Sequence, residues 1–289
     1  MKSYIKEIFK HSTFYAIANL FVSLTSFVLI PLYTLHLSTE EYGAYSIIAL
    51  FGTVVSYLYD MGMLNALVRH YFEFEADDFD RKKQIVSTAL WFFIIVSILF
   101  SALLLWGSSR ISLLMLGGEK YIFLVKLMTA VIFFNVVSGV PMTVLRMKEK
   151  STLFMCLFGL KSLGIIVFSY LFLSVLNKGL DGVFESMLLA TVMLAALSFV
   201  FTLKNYSFNF SFKYLAQMLK FGLPMCLGML FSWIINFSDR YLMRYFLTLS
   251  DVGLYSLGYK FGQIVFLAVQ SFLMCWGPIL FTIAKEKNS

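Results

Sequence analysis

Long apolar runs separated by short polar segments dominate this sequence from residue 12 onward. Eight of the runs are long enough to cross a bilayer, since a transmembrane helix needs about 20 mostly apolar residues. They lie at 12–35, 43–68, 85–106, 122–145, 152–176, 183–203, 220–246 and 254–281. The period-2 alternation typical of a membrane β-barrel is absent from the sequence. The pattern therefore predicts an all-α polytopic membrane protein with about eight transmembrane helices.

The segment before the first run has a different pattern. Lysines stand at positions 2, 6 and 10, and apolar Tyr4, Ile5, Ile8 and Phe9 lie between them. Such a pattern predicts a short amphipathic helix that lies on a membrane surface.

Composition supports a membrane environment and argues against a nucleic-acid partner. Of the 289 residues, 60% are hydrophobic and 13% are charged, and the mean hydropathy is +0.83. Soluble domains carry about 25% charged residues. The net charge of +7 comes from basic residues in short clusters between apolar runs, which is typical of membrane loops. We therefore expect membrane lipids as partners and no nucleic acid.

The distribution of Lys and Arg predicts the orientation of the chain. With the N-terminus inside, the cytoplasmic segments hold 15 of the 23 basic residues, the outer loops hold three, and five lie within the spans. Short cytoplasmic loops carry an excess of Lys and Arg. Both termini are therefore predicted to be cytoplasmic.

Two stretches of the chain repeat each other at long range. HLSTEEYGAYS begins at His36 and TLSDVGLYS at Thr248, and pairing Gly43 with Gly253 gives a period of about 210 residues. Aligning their Leu-Ser pairs as well costs a two-residue gap. Six spans separate the copies, so both have the same orientation, as in parallel-repeat transporters. The repeat predicts a six-helix lobe over residues 1–204, followed over 205–289 by the first two helices of a second lobe.

Three stretches together carry a resemblance to a known family: the N-terminal lead with LSTEEYGAYS, DMGMLNALVRHYFE (60–73), and FGLPMCLGMLFSWIINFSDRYLMRYFLTLSDVGLYSLGYKFG (221–262). They resemble the O-antigen and capsule flippase branch of the multidrug/oligosaccharidyl-lipid/polysaccharide superfamily. The resemblance implies two six-helix lobes with a substrate cavity between them. On that comparison the chain looks truncated after its eighth span, and it lacks about four spans.

The same resemblance implies a function, a place and a set of partners. The protein would translocate polyprenyl-diphosphate-linked oligosaccharide units across the bacterial cytoplasmic (inner) membrane. A polysaccharide polymerase and glycosyltransferases of the same pathway would be its protein partners. Two alternatives stay open: a multidrug or cation antiporter of the same superfamily, and a truncated membrane protein that transports nothing.

Ionisable side chains inside the spans are candidate functional residues, because lipid disfavours a charge. Lys161 lies near the middle of the fifth span among Gly159, Ser162 and Gly164, which favours a position lining a cavity. Lys260 lies about two turns into the eighth span and is interpreted in the same way. Lys126 is nearer the outer end of the fourth span, where snorkelling to the interface explains it equally well.

A second cluster of charged residues lies in the outer half of the seventh span. Arg240 and Arg244 are four residues apart and so share a helix face, which would present two forked donors to a diphosphate. The alternative is a structural ion pair at the lobe interface, in which Asp239 pairs with Arg240 or Lys260. Asp60, in the second span, is either a coupling-ion site or a partner that neutralises Lys161.

The sequence lacks motifs for catalysis and for metal binding, and this narrows the range of possible functions further. It contains no P-loop and no spacing of metal ligands or of a nucleophile and its base. We therefore expect no enzyme activity, no cofactor and no metal. Five basic residues in the spans stand against Asp60, Glu185 and Asp239, and this excess favours an anionic substrate over a cationic drug.

Overall fold

The computed structural model describes residues 2–75 and 77–262, and every regular element within them is helical. We number the α-helices of these residues in chain order. They are α1 (Lys2–His36), α2 (Thr39–Asp60), α3 (Met63–Tyr71), α4 (Phe79–Trp106), α5 (Ser108–Leu116), α6 (Ile122–Met147), α7 (Ser151–Tyr170), α8 (Gly179–Thr202), α9 (Phe212–Phe246) and α10 (249–262). A π-helical turn, Leu171–Val175, extends α7.

Six helical segments within the described residues are long and apolar enough to cross a membrane. They are Thr39–Asp60, Phe79–Trp106, Glu119–Met147, Ser151–Val175, Gly179–Asn205 and Phe212–Phe246. A shorter apolar segment, Ser23–His36, lies within α1. The eighth predicted span, 254–281, extends beyond the described residues, which end at 262. The all-α polytopic membrane fold is confirmed, and the predicted count of eight is approximate.

The second predicted span, 43–68, is not one continuous helix. The chain leaves the helix after Asp60, because Met61 and Gly62 both adopt left-handed backbone angles, with φ of 48° and 69°. The Asp60 carboxylate then accepts a hydrogen bond from the backbone N–H of Leu64 at 3.1 Å, which satisfies a free donor at the start of α3. The apolar composition of this run conceals the break, since hydropathy does not register backbone turns.

Two other segments differ from the sequence-based expectations. The backbone of α1 is helical without interruption from Lys2 to His36, so the lead is continuous with the first span and is not a separate surface helix. The predicted outer loop between the third and fourth spans contains α5 and a 3-10 turn. Both differences add helical structure at the ends of apolar runs, where hydropathy gives the weakest indication of boundaries.

Helix α6 lies at the centre of the packing and contacts α2, α3, α4, α5, α7 and α8. Its residues Ile132, Val140 and Leu145 are almost completely buried. At each end of α6, loops that the distribution of Lys and Arg predicts on the same side of the membrane lie close together. At one end, which we call the basic end, Tyr71, Lys82, Lys148 and Asn205 line one recess. At the other, the far end, Glu40, Lys120, Arg244 and Ser250 line another.

The two copies of the repeated motif start α2 and α10 with the same cap. Ser38 and Glu41 form a capping box, in which the N–H of Glu41 donates to the Ser38 hydroxyl and the Glu41 carboxylate accepts from the Ser38 N–H. Thr248 and Asp251 form the same pair of bonds, at 3.3 and 3.0 Å. Ser38 therefore corresponds to Thr248, and the period is 210 residues with no gap. The two-residue gap in the sequence alignment was wrong, because it paired identical residue types and not the residues that cap the two helices.

The two motifs also contact each other, and glycine makes the contact possible. A Cβ atom on Gly43 would lie 1.9 Å from the carbonyl oxygen of Leu249, and one on Gly253 would lie 2.1 Å from that of Thr39. The Thr39 and Ser250 hydroxyls are 2.6 Å apart beside these glycines. The contacts are reciprocal, since Gly43 packs on α10 as Gly253 packs on α2. The backbones of α2 and α10 therefore meet at the far end, at what we call the glycine seam (Gly43 and Gly253).

Candidate functional site

A cavity of about 520 Å³ lies among α1, α2, α6, α7 and α8. Its wall is largely apolar, but polar side chains from all five helices interrupt it. These are Thr25, Ser26, Tyr33, Tyr45, Thr53, Ser56, Asn135, Lys161, Ser162 and Thr191. We call this space the lobe cavity, because every helix that lines it belongs to the predicted first lobe.

Among the described residues that line the lobe cavity, Lys161 alone carries a formal charge. Its ammonium group donates a hydrogen bond to the Asn135 side-chain oxygen at 3.0 Å. Small residues on α7 allow the helix to approach its neighbours, because Gly159 faces Phe21 on α1 and Gly164 faces Met193 on α8. The result is a cation that one neutral amide holds in position. Such a site can attract an anionic group that supplies the missing charge.

The aromatic wall beside Lys161 is fixed by packing and by hydrogen bonds. Tyr33 and Tyr45 meet edge to face with ring centroids 5.5 Å apart. The Tyr33 hydroxyl lies 3.5 Å from that of Ser169, which is 2.8 Å from that of Ser186. These bonds hold Tyr33 in one orientation at the cavity wall.

Sequence reasoning missed the uncharged part of the lining, although a signal was present. On α2, Tyr45, Ala49, Gly52 and Ser56 all line the cavity, and they follow one another at intervals of four, three and four residues. That spacing places them on one helix face. Polar and small residues at helical spacing within an apolar run therefore indicate a cavity wall, even without a charge.

The other predicted cations are not in the lobe cavity. The Arg240 side chain is buried, and its guanidinium lies 4.1 Å from the ring centroid of Tyr259 and 5.9 Å from that of Tyr255. Arg244 instead lines the recess at the far end and donates a weak bond to the Leu247 carbonyl at 3.5 Å. The two arginines have different surroundings, although they are four residues apart.

The predicted ion pairs of Asp239 do not form. Its carboxylate accepts a hydrogen bond from the Tyr255 hydroxyl at 2.6 Å, and the salt bridges within the described residues do not include it. Arg240 is therefore held by aromatic rings, through cation–π contacts. Sequence spacing could not distinguish a carboxylate partner from an aromatic one.

The three remaining predicted site residues have separate environments. Lys260 places its ammonium 5.8 Å from the ring centroid of Tyr45, a wall residue of the lobe cavity. Lys126 is exposed on α6, which agrees with the snorkelling alternative. Asp60 stabilises the start of α3 and is not part of the cavity wall that contains Lys161. Among the described residues, no cluster of three His, Cys, Asp or Glu could hold a metal ion.

Comparison with solved structures identifies the fold. A MOP superfamily transporter from Pyrococcus furiosus, reported with a binding pocket of reverse polarity that suggests a different function, is 18% identical, with a TM-score of 0.65 over 78% of this chain and 52% of that one. An inward-facing multidrug resistance MATE transporter is 19% identical, with a TM-score of 0.66 over 87% and 58% of the two chains. An outward-facing multidrug resistance MATE transporter is 17% identical, with a TM-score of 0.51 over 74% of this chain and 52% of that one. The chain thus spans little more than half the length of these transporters and has their fold.

Comparison with curated proteins gave no match. The family model described as "Polysaccharide biosynthesis protein", however, matches residues 8–284. This match covers nearly the whole sequence, and the fold is that of the MOP superfamily transporters compared above. The chain therefore belongs to the polysaccharide biosynthesis protein family.

Proposed function

We propose that this protein is a flippase for polyprenyl-diphosphate-linked oligosaccharide units, and that Lys161 attracts the diphosphate. The observation that carries the proposal is the charge of the lobe cavity, because the part of its wall that the structure describes has one cation and no carboxylate. A diphosphate supplies several acceptor oxygens, and a lysine ammonium has three donors, of which Asn135 takes one. The hydroxyls in the wall suit a ligand with a polar sugar part.

The position of Lys260 adds to this argument. Its ammonium faces the ring of Tyr45, while Tyr45 also forms part of the cavity wall. A small movement of α10 relative to α2 would therefore bring a second cation to the same ligand. The predicted inner-membrane location, cytoplasmic termini and lobe boundary at residues 204 and 205 all belong to this proposal.

The second candidate is a cation or multidrug exporter, and the similarity to multidrug resistance MATE transporters favours it. The cavity charge argues against it, because a lone lysine repels a lipophilic cation. Since the chain spans about half the length of the transporters it matches, both proposals concern the activity of the whole protein.

A binding experiment on the full chain in nanodiscs distinguishes these candidates. A polyprenyl diphosphate and a lipophilic phosphonium cation serve as probes, with intrinsic tryptophan fluorescence as the signal. Lys161→Gln should weaken polyprenyl diphosphate binding about 10- to 100-fold, because a hydrogen bond to a charged group contributes about 1.5–3 kcal/mol. Lys126→Gln is the matched control, since it removes the same charge from an exposed position.

Three results would contradict the flippase proposal. The first is equal loss of binding in both variants, and the second is binding of the diphosphate that does not depend on Lys161. The third is tight binding of the phosphonium cation by the parent protein with Lys161 in place, which would favour the exporter. In cells, Lys161→Ala should reduce surface-polysaccharide export while the protein remains in the membrane at its normal level.

A further inference from the structure

A separate basic pocket of about 80 Å³ lies at the basic end of the bundle, far along α6 from the lobe cavity. Three of its lining residues are lysines: Lys82 and Lys83 from the first turns of α4, and Lys148 from the end of α6. The others are Tyr71, Phe79, Val86, Val144 and Asn205. None of the described residues in this lining is acidic. We call it the trilysine pocket.

Two of the three lysines have defined contacts in the wall. The Lys148 ammonium donates a hydrogen bond to the side-chain oxygen of Asn205. The Lys82 ammonium lies over the ring of Tyr71, 5.3 Å from its centroid. The amide contact positions the Lys148 ammonium without neutralising it, so this positive charge remains available to a ligand.

Carboxylates of the described residues form no salt bridge with Lys83 or Lys148. Within the described residues, Asp78 is paired with Arg81 at 3.2 Å, and no carboxylate lies within ion-pairing distance of Lys83 or Lys148. Burial, together with repulsion from Lys150 and Lys83, lowers the pKa of Lys148. Like charges thus face one another here, and an anion would relieve the repulsion.

The size and the rim of the pocket narrow the class of anion. A water occupies about 30 Å³ of liquid, so the pocket has room for a phosphate group but not for a sugar nucleotide. Phe79 lines the pocket and is 65% exposed, and Phe72 next to Tyr71 is 63% exposed. Exposed aromatic rings beside a cationic pocket suit a ligand whose phosphate continues into apolar chains.

We propose that the trilysine pocket binds the phosphate headgroup of an anionic phospholipid, with the acyl chains beside Phe79. Basic pockets between membrane helices are known to hold such headgroups. The site is distinct from the lobe cavity and does not depend on the transport proposal. Its occupant would fix the ends of α4, α6 and α8 relative to one another at the membrane surface.

Lipid retention in nanodiscs tests the site directly. The full chain is reconstituted in a mixture of phosphatidylcholine and phosphatidylglycerol, and retained phosphatidylglycerol is counted by native mass spectrometry. A lysine near a membrane surface strengthens binding of anionic lipid about fivefold. The Lys83→Gln/Lys148→Gln variant should therefore bind phosphatidylglycerol about 25-fold more weakly. The Lys83→Arg/Lys148→Arg variant keeps both charges and should retain the lipid.

The matched control is Lys204→Gln/Lys213→Gln, which removes the same charge from exposed lysines that do not line the pocket. Equal loss of lipid in the control and in the pocket variant would overturn the proposal, because diffuse surface charge would then explain the binding. Loss of lipid in the arginine variant would also overturn it. In a third arm, the protein in detergent receives either inorganic phosphate or phosphatidylglycerol, and the protection of Lys148 from amine modification is measured. Equal protection by the two would overturn the lipid proposal and reassign the site to free phosphate.

Discussion

The glycine seam yields the sharpest prediction, because a single methyl group should separate α2 from α10. In Gly43→Ala the new Cβ would lie 1.9 Å from the Leu249 carbonyl oxygen, whereas real Cβ atoms essentially never approach closer than 3.0 Å. The two helix backbones must therefore part by about 1 Å, since the clashing atom is backbone and cannot rotate away. That movement would also break the bond between the Thr39 and Ser250 hydroxyls, now 2.6 Å apart.

The free energy by which Gly43→Ala disfavours contact between the two helix ends follows from this clash and this lost hydrogen bond. Overpacking a well-packed contact costs about 1–3 kcal/mol, and a lost neutral hydrogen bond costs about 1 kcal/mol. Together they make about 2–4 kcal/mol, which would shift the balance between closed and separated helix ends about 30-fold or more. Alanine is the better helix former by about 1 kcal/mol, so weakened helix propensity cannot produce the effect.

Disulfide cross-linking measures the shift. In a variant without native cysteines, Thr39→Cys and Ser250→Cys place their sulfur atoms where the two hydroxyls now meet. Oxidation should form the bond rapidly in the parent and at least about 30-fold more slowly in Gly43→Ala. Gly258→Ala is the control on α10, because no neighbouring atom of the described residues lies within 4 Å of its Cβ position. If Gly43→Ala cross-links as fast as the parent, the backbones do not meet and the reasoning fails.

Three further outcomes are expected. Gly62→Ala should lower the free energy of unfolding by at least about 1–2 kcal/mol, because a left-handed backbone disfavours a Cβ and this Cβ would lie 2.2 Å from the Gly222 carbonyl oxygen. Gly228→Ala, whose Cβ would have no neighbouring atom of the described residues within 4 Å, should be neutral in the same thermal unfolding assay in detergent. Tyr255→Phe removes the 2.6 Å bond to the Asp239 carboxylate and should cost about 1.5–3 kcal/mol in that assay; an unchanged midpoint would mean that water replaces the bond. Cysteine labelling in cells tests the predicted orientation, and a reversed pattern in two adjacent loops would contradict it. Cytoplasmic labelling is expected at Arg81, Lys148 and Lys204, and external labelling at Glu40, Lys178 and Asp251.

The amino-acid sequence by itself determined the solvent, the fold class and most of the helices. Hydropathy over about 20 residues identifies a membrane span because lipid excludes unpaired backbone groups, and this rule does not require tertiary contacts. The sequence also contained the repeat, with Gly43 and Gly253 as its matching residues. It identified Lys161 as a candidate because a charge in an apolar run is costly wherever the helix packs.

Tertiary structure alone decided what those residues contact. The sequence could not show that Arg240 meets the ring of Tyr259, or that Lys161 and Arg240 have separate surroundings. Neither could it show that Gly43 and Gly253 face each other across α2 and α10. These facts depend on the rotation and depth of each helix, which are set by packing between helices distant in sequence. Apolar periodicity is weak in helices that are hydrophobic on every side, so the pattern specifies that a helix forms but not which face it presents.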